Sequence, residues 1–386
     1  MPGKRSILAG KILLAAIVLF FSFYGGLLYV LIASGNGADY YLSIAGAILF
    51  PLFWIFLIFA KNREKALPVW TVIIGFYILA VSASIGSYEY NESITIDTSP
   101  NINLDEYLPF DENSKIAVLD HEASLKLEER LPRIDGAAAL FPVYSAFVNA
   151  TYPDTVEVYD GTLEYNNTVF GYECLADKVT DIFIGAYPSS EQIAYAESKN
   201  TEFIFTPIGK EAFVFFVSAD NPIESLTTEQ IQGIYSGEIT NWSDVGGNNE
   251  EIVAFQRNQG SGSQSMLERF MGDKEIMEAP TEQINDMMSG IIYEVASDYK
   301  NKSNSMGFSF RYYVEGIIKN PDIKIIAVDG ITPSEENIRT EKYPIITPIY
   351  AVTYEEQSNE NVDRLLQWIL SEEGQEIIEK TGYVGN

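Results

Sequence analysis

Histidine and cysteine each occur once in the 386-residue chain, as His121 and Cys174, and that scarcity removes several classes of chemistry. A single cysteine excludes an intrachain disulfide and reads as a small buried side chain. One histidine and one cysteine cannot build a Cys/His metal cluster. A Ser–His–Asp triad would have to recruit His121, which lies in an acidic, surface-like stretch, and no G-x-S-x-G elbow presents a nucleophile. No metal, no cofactor and no enzymatic activity are expected. Basic residues are also few: 25 Lys and Arg stand against 54 Asp and Glu, for a net charge of −29. Nucleic-acid binding depends on Lys and Arg at phosphates and is not expected. The acidity reads as a solubility device, and distant, screened charge does not forbid a small anion in a closed cleft.

Long apolar runs are missing after residue 88, but three precede it. Ile12–Ala33, Tyr40–Ala60 and Ala66–Tyr88 each hold no charge over slightly more than about 20 residues, the length that crosses a hydrocarbon core about 30 Å thick. Aromatic residues at their ends (Tyr40, Tyr41, Trp70, Tyr88) and their succession argue against a cleaved signal peptide or buried core helices. Lys4, Arg5 and Lys11 sit at the start of the first run. The link Ser34–Asp39 has no Lys or Arg, and the link Lys61–Lys65 has three. By the positive-inside rule the N-terminus is cytoplasmic and everything after the third span lies outside a multi-pass cell-membrane anchor. The anchor, residues 1–88, carries six basic and two acidic residues, so the acidic excess belongs wholly to the outer part.

Residues 89–114 are polar, acidic and aperiodic, which reads as a tether. From residue 115 to 386, strand-like and helical patterns alternate, the signature of an α/β domain. Phe203–Pro207 and Glu211–Ser218 read as buried strands. Thr227–Tyr235 reads as a helix capped by Thr227 or Thr228, and Asn361–Lys380 as further helix.

The segment richest in chemistry is Phe255–Met271, FQRNQGSGSQSMLERFM. A strand-like run (Ile252–Phe255) passes through Gly260–Ser263 into helical spacing at Met266, Leu267, Phe270 and Met271. A strand, a Gly/Ser turn and a helix start aim unpaired backbone N–H groups and hydroxyls at one spot, where the helix dipole favours negative charge. Arg257 stands just before the turn, and its planar guanidinium can grip two oxygens of a tetrahedral anion. On composition alone the same residues also describe a serine-capped helix with Arg257 in a surface ion pair. Arg311 is equally open between facing a cleft and pairing with an acid, and Trp242 reads as a core anchor.

The run Pro207–Gly247, which contains GEITNW, and the following RNQGSGSQ resemble the phosphate-binding proteins of bacterial ABC importers. The likeness extends from about Arg130 to the end, through RIDGAAALFP (Arg133–Pro142) and SMGFSFRYY (Ser305–Tyr313). The whole chain is similar to the membrane-anchored members in Firmicutes-type bacteria. This resemblance implies a type II periplasmic-binding-protein fold: two α/β lobes joined by crossing strands around a ligand cleft. Lobe 1 is expected at 115–210 and 345–386, and lobe 2 at 211–344. It further implies an extracytoplasmic solute-binding protein that captures inorganic phosphate or a similar oxyanion for an ABC permease. Arg257, Ser261, Gly262 and Ser263 match the R-x-x-G-S-G-[ST] motif that holds the anion from one lobe. Thr168 falls at the position of a second hydroxyl from the other lobe.

Two positions depart from the family pattern. The first turn, typically D-G-[SA]-[ST], is Asp135-Gly136-Ala137-Ala138-Ala139 here, so a hydroxyl is missing at Ala138. Backbone N–H groups of Ala138 and Ala139 remain as expected donors, while a charged hydrogen bond of about 1.5–3 kcal/mol is lost. Some members also place an aspartate near Ala186 and Tyr187, where it accepts the proton of hydrogen phosphate; none stands there in this chain. The alternative is a tethered sensor or accessory protein of the same fold that binds another anion or has lost phosphate binding.

Overall fold

The computed structural model describes residues 4–35, 40–60, 63–96, 103–286, 291–296 and 299–386. Parts of the two expected links (36–39 and 61–62) and of the expected tether (97–102) lie outside the described residues. The chain divides into two compact units, Met1–Thr95 with Ile284–Tyr293, and Ile96–Gln283 with Glu294–Asn386.

Three helices dominate the first unit: α1 (Lys4–Gly35), α2 (Tyr40–Phe59) and α3 (Arg63–Ile94). Each contains a stretch long and apolar enough to cross a membrane, Ile7–Val30, Tyr41–Phe59 and Leu67–Ile94. Almost none of those side chains is buried by protein, which is how a helix solvated by lipid tails is composed. Trp70 of α3 packs on Phe53 and Phe56 of α2, and the Tyr29 and Tyr77 hydroxyls of α1 and α3 bond to each other. Helix α3 runs on to Ile94, so the first residues of the expected tether are helical.

In the second unit the order is β1 (Ile134–Gly136), α4 (Phe141–Thr151), α5 (Asn167–Ala176), β2 (Ile182–Gly185), α6 (Ser190–Ser198) and β3 (Phe203–Ser218). Then come β4 (Ser225–Leu226), α7 (Thr228–Tyr235), β5 (Val253–Ala254), α8 (Gly262–Met271), β6 (Thr281–Asp286), β7 (Ile291–Ala296) and β8 (Ser305–Phe310). The last elements are β9 (Ile323–Ile325), β10 (Ala327–Val328), α9 (Glu335–Arg339), β11 (Ile346–Tyr354), α10 (Glu360–Ile369) and α11 (Glu372–Thr381). Seven strands form one mixed sheet in the order β1-β2-β11-β3-β8-β5, with β9 also on β3.

Strand β3 is the element that organises this unit. Its 16 residues replace the two separate strands expected from the sequence. Pro207 and Gly209 do not break it. Its first part, Phe203–Ala212, pairs antiparallel with β11, with a register shift between Ile349 and Tyr350. From Phe213 onward it pairs instead with β8 and β9. Ala212–Val217 are fully buried, as expected of a strand covered on both faces. The change of partner divides two hydrophobic cores. One holds Phe141, Tyr144, Phe147, Ile184, Leu365 and Trp368; the other holds Phe213, Phe215, Tyr235, Trp242, Leu267 and Phe308. Each fully buried aromatic or aliphatic side chain contributes about 1.5–3 kcal/mol. Trp242 is a core anchor whose indole N–H donates to the Asn304 carbonyl at 3.0 Å. Thr227 caps α7 in a reciprocal capping box with Gln230.

Candidate ligand-binding cleft

Where β3 changes partners, a cavity of about 290 Å³ opens between the two cores. Arg257, Ser261, Gly262, Ser263, Ala138, Ala139 and Thr168, the seven residues named from the sequence, all line it. Arg257 is its one cationic lining residue, among the described residues, and Glu211 its one acidic one.

Local hydrogen bonds shape the Arg257 side of the cleft. The loop leaving β5 turns at Gly260, whose φ of +76° favours glycine, and the Ser261 N–H donates to the Asn258 carbonyl at 3.2 Å. Ser261 is the N-cap of α8: its Oγ accepts from the Gln264 N–H at 3.3 Å. The hydroxyl proton is still available to donate toward the cavity. Gln264 in turn accepts from the Arg257 N–H at 3.0 Å, which fixes the arginine backbone against the first turn of α8. The N–H groups of Gly262 and Ser263 belong to the first helical turn and have no intrahelical acceptor. Their dipoles and the guanidinium favour the same ligand charge.

The facing side is built on Asp135, which is fully buried in the middle of β1. Its carboxylate accepts from the Gly136 N–H (2.8 Å), the Asn166 N–H (2.9 Å) and the Asn166 Nδ2 (3.0 Å). Burial raises its pKa and these three bonds oppose the rise. The clamp holds the start of α5, where Asn167 takes a left-handed conformation (φ 60°) tolerated by asparagine. There the Asn167 Oδ1 accepts the Ala138 N–H at 3.2 Å. The backbone donor expected from Ala138 is therefore engaged by a side chain that sequence reading did not single out, and Asn167 itself lines the cavity. Ala139 is held by the Tyr383 hydroxyl, which donates to its carbonyl at 2.7 Å.

The two sides meet at the cleft edge. Gln192 of α6 donates to the carbonyls of both Thr168 and Gly260 at 3.4 Å, and the Cβ position of Gly262 lies 3.5 Å from the Thr168 Oγ1. The Arg269 guanidinium of α8 lies 4.6 Å from the Tyr187 ring centroid, and that ring stacks on Phe205 at 4.7 Å. Tyr187 thus serves as a contact between the two sides and is not part of the cavity lining. Arg311 is buried and pairs with acids: its Nη1 lies 3.1 Å from Glu315, its Nε 3.8 Å from Glu211, and its Nη2 donates to the Gly382 carbonyl at 2.6 Å. His121 lies at the surface, 3.2 Å from Glu373. Cys174 is buried, and burial pushes its thiol pKa up to about 11. No cluster of metal-ligating side chains occurs among the described residues.

A mixed sheet running through two cores, with a cleft where its central strand changes partners, is the architecture of a two-lobed solute-binding domain. The chain belongs to the PBP superfamily: the family model described as PBP superfamily domain matches residues 132–373. Among its relatives, the phosphate-binding protein PstS of Borreliella burgdorferi is 25% identical over 263 residues, covering 67% of this chain and 90% of its own length. The phosphate-binding protein PstS of Staphylococcus saprophyticus is 24% identical over 260 residues, covering 65% of this chain and 78% of its own. A substrate-binding protein of Clostridium perfringens solved with bound phosphate superimposes with a TM-score of 0.50 at 22% identity. It covers 67% of this chain and 100% of that one, and shows that the fold is shared.

Proposed function

We propose that this protein captures phosphate outside the cell, in the cleft between its two lobes, and passes it to an ABC permease in the same membrane. The supporting observation is that Arg257, the N-terminal turn of α8 and Thr168 line a single small cavity. That set neutralises and hydrogen-bonds a tetrahedral oxyanion without a metal. The relatives' names support phosphate as the ligand. In this reading lobe 1 (115–210 with 345–386) and lobe 2 (211–344) close by bending at the crossing strands, and α1–α3 anchor the domain with the N-terminus inside.

The test is titration of the full-length protein in detergent micelles with inorganic phosphate. Arg257→Met should weaken binding roughly hundredfold or more, because a charged bidentate contact is lost and the anion is left short of a partner. A wild-type protein that takes up no phosphate would sink the reading. A second reading, a tethered sensor for another anion, draws on Ala138, which lacks a hydroxyl and gives its N–H to Asn167. Competition of labelled phosphate by a panel of small oxyanions separates the two: displacement by one of them at much lower concentration than unlabelled phosphate would favour the sensor.

A further inference from the structure

The cavity is large for a bare phosphate ion. An apolar cavity of about 150 Å³ holds a benzene ring, and this one measures about 290 Å³. A phosphate ion fills less than about half of it. The groups that can hold an anion also keep to one edge. Arg257 and Ser261–Ser263 line the cavity with Thr168, whose Oγ1 lies 3.5 Å from the point where a Cβ on Gly262 would stand. Much of the remaining lining is apolar. Ala137, Ala138, Ala139 and Ala186 contribute only small side chains, and Leu140, Phe310 and Ile349 add larger surfaces. Phe310 comes within 4.0 Å of the same Gly262 point, so apolar surface begins directly beside the anion-binding turn.

Backbone groups behind the alanines are engaged within the protein. The Ala137 N–H donates to the Ile184 carbonyl at 2.8 Å, and the Ala138 N–H to the Asn167 Oδ1 at 3.2 Å. The Ala186 carbonyl accepts the Tyr172 hydroxyl at 2.6 Å, and the Ala139 carbonyl accepts the Tyr383 hydroxyl at 2.7 Å. An oxygen of a bare phosphate turned toward these alanines exchanges water for methyl groups, and an unpaired buried acceptor is costly. A carbon substituent at the same place has no such cost and gains by leaving water. Glu211, the acid of the lining, holds the Ala212 and Tyr312 N–H groups at 2.8 and 3.2 Å, and burial pushes its carboxyl up to about 7.

We propose that this cleft prefers a phosphoryl head carrying a small aliphatic substituent over inorganic phosphate. The proposal rests on the anion-capture reading above and narrows the substrate class of that same site. The head takes Arg257, the first turn of α8 and Thr168. The substituent lies against the alanines, Leu140 and Ile349, in the part of the cavity that a bare ion leaves to water. A phosphonate, with its P–C bond, and a phosphate monoester, with its P–O–C link, share this chemistry.

Calorimetric titration of the full-length protein in detergent micelles at pH 6 tests this. The ligands are inorganic phosphate, methyl-, ethyl- and propylphosphonate, and ethyl phosphate. At that pH all are mainly monoanions and Glu211 is mostly protonated, so the series varies the substituent and not the charge. The dissociation constant should fall about fourfold for each methylene from methyl to propyl, and ethylphosphonate should bind more tightly than phosphate. Ethyl phosphate and propylphosphonate match in length, and the tighter of the two identifies the source as ester or phosphonate. In Ala138→Ser the ratio of ethylphosphonate to phosphate dissociation constants should rise about tenfold, because the new hydroxyl serves the bare ion and lacks a partner beside the ethyl group. Phosphate bound at least as tightly as every substituted ligand overturns the proposal and leaves phosphate capture standing. So does a dissociation constant that stays flat from methyl to propyl. No binding of any of these ligands overturns the capture reading and this proposal together. The wild-type series needs no variant, so a misfolded Ala138→Ser protein does not remove the test.

Discussion

A buried carboxyl in the cleft lining, Glu211, should leave a mark on stability. The perturbation is Glu211→Gln, which keeps an oxygen for the Ala212 or Tyr312 N–H and removes the ionisable group. Between the ordinary carboxyl value of 4.5 and about 7, the folded wild type holds a proton at Glu211 that the unfolded chain has already released. Its stabilising contribution is therefore complete below pH 4.5 and is lost as pH rises through 7. At about 1.4 kcal/mol per pH unit, that interval amounts to about 3 kcal/mol. The variant has no such loss, so the gap between variant and wild type should open by about 3 kcal/mol in the variant's favour from pH 4.5 to pH 8. For a domain of this size that is a relative shift of roughly 5–10 °C in melting temperature. The assay is tryptophan-fluorescence melting of both full-length proteins in phosphate-free detergent buffer. Asp135, raised by burial, and Glu373, held down to about 2 by hydrogen bonds from Ser124, contribute equally to both proteins and cancel in the difference. Parallel melting curves for the two proteins from pH 5 to pH 8 would refute the argument.

Other substitutions probe the rest of the cleft. Ala138→Ser supplies the missing hydroxyl and should tighten phosphate about tenfold by calorimetric titration; no change would mean that the first turn does not reach the anion. Arg269→Ala removes the contact across the cleft edge on Tyr187 and should speed phosphate release about 2- to 30-fold in stopped-flow measurements, with little change in the association rate. Gly136→Ala would place a Cβ 2.5 Å from Tyr144 Cε1 and 2.8 Å from the Ile184 carbonyl oxygen. It should lower stability by about 2–4 kcal/mol in chemical denaturation.

The legible part of the cleft was the part written in consecutive residues. Arg257, the Gly260 turn and Ser261–Ser263 form one local motif, because strand, turn and helix N-cap follow each other along the chain and each leaves its own signal. Asn167, Gln192 and Glu211 were not legible, since each acts through a partner remote in sequence. Asn167 takes an N–H 29 residues away, Gln192 reaches a carbonyl 68 residues away, and the Glu211 carboxylate receives an N–H 101 residues on. Glu211 in particular sits in a run that reads as a buried strand, and alternation alone does not say that its side chain faces a cavity. Arg311 was open between cleft and ion pair for the same reason; its acids lie both near in sequence, at Glu315, and far away, at Glu211. The division of β3 into two strands failed because Pro and Gly usually interrupt a ladder. Here Pro207 pairs with Tyr350 beside the register shift, where its missing N–H is tolerated.

How the two cores are drawn from the chain bears on the order in which the domain can form. Apart from Ile96 and Val384, the core around Phe213 uses only residues 212–346, a single stretch. The core around Phe141 needs 116–208 together with 349–383, and so waits for α10 and α11. As the chain is made, the lobe carrying Arg257 has all but the last of its apolar partners before the lobe carrying Thr168 is complete. The first lobe to emerge is then the last to consolidate, and its exposed apolar segments are the stretch most in need of protection while the chain is incomplete.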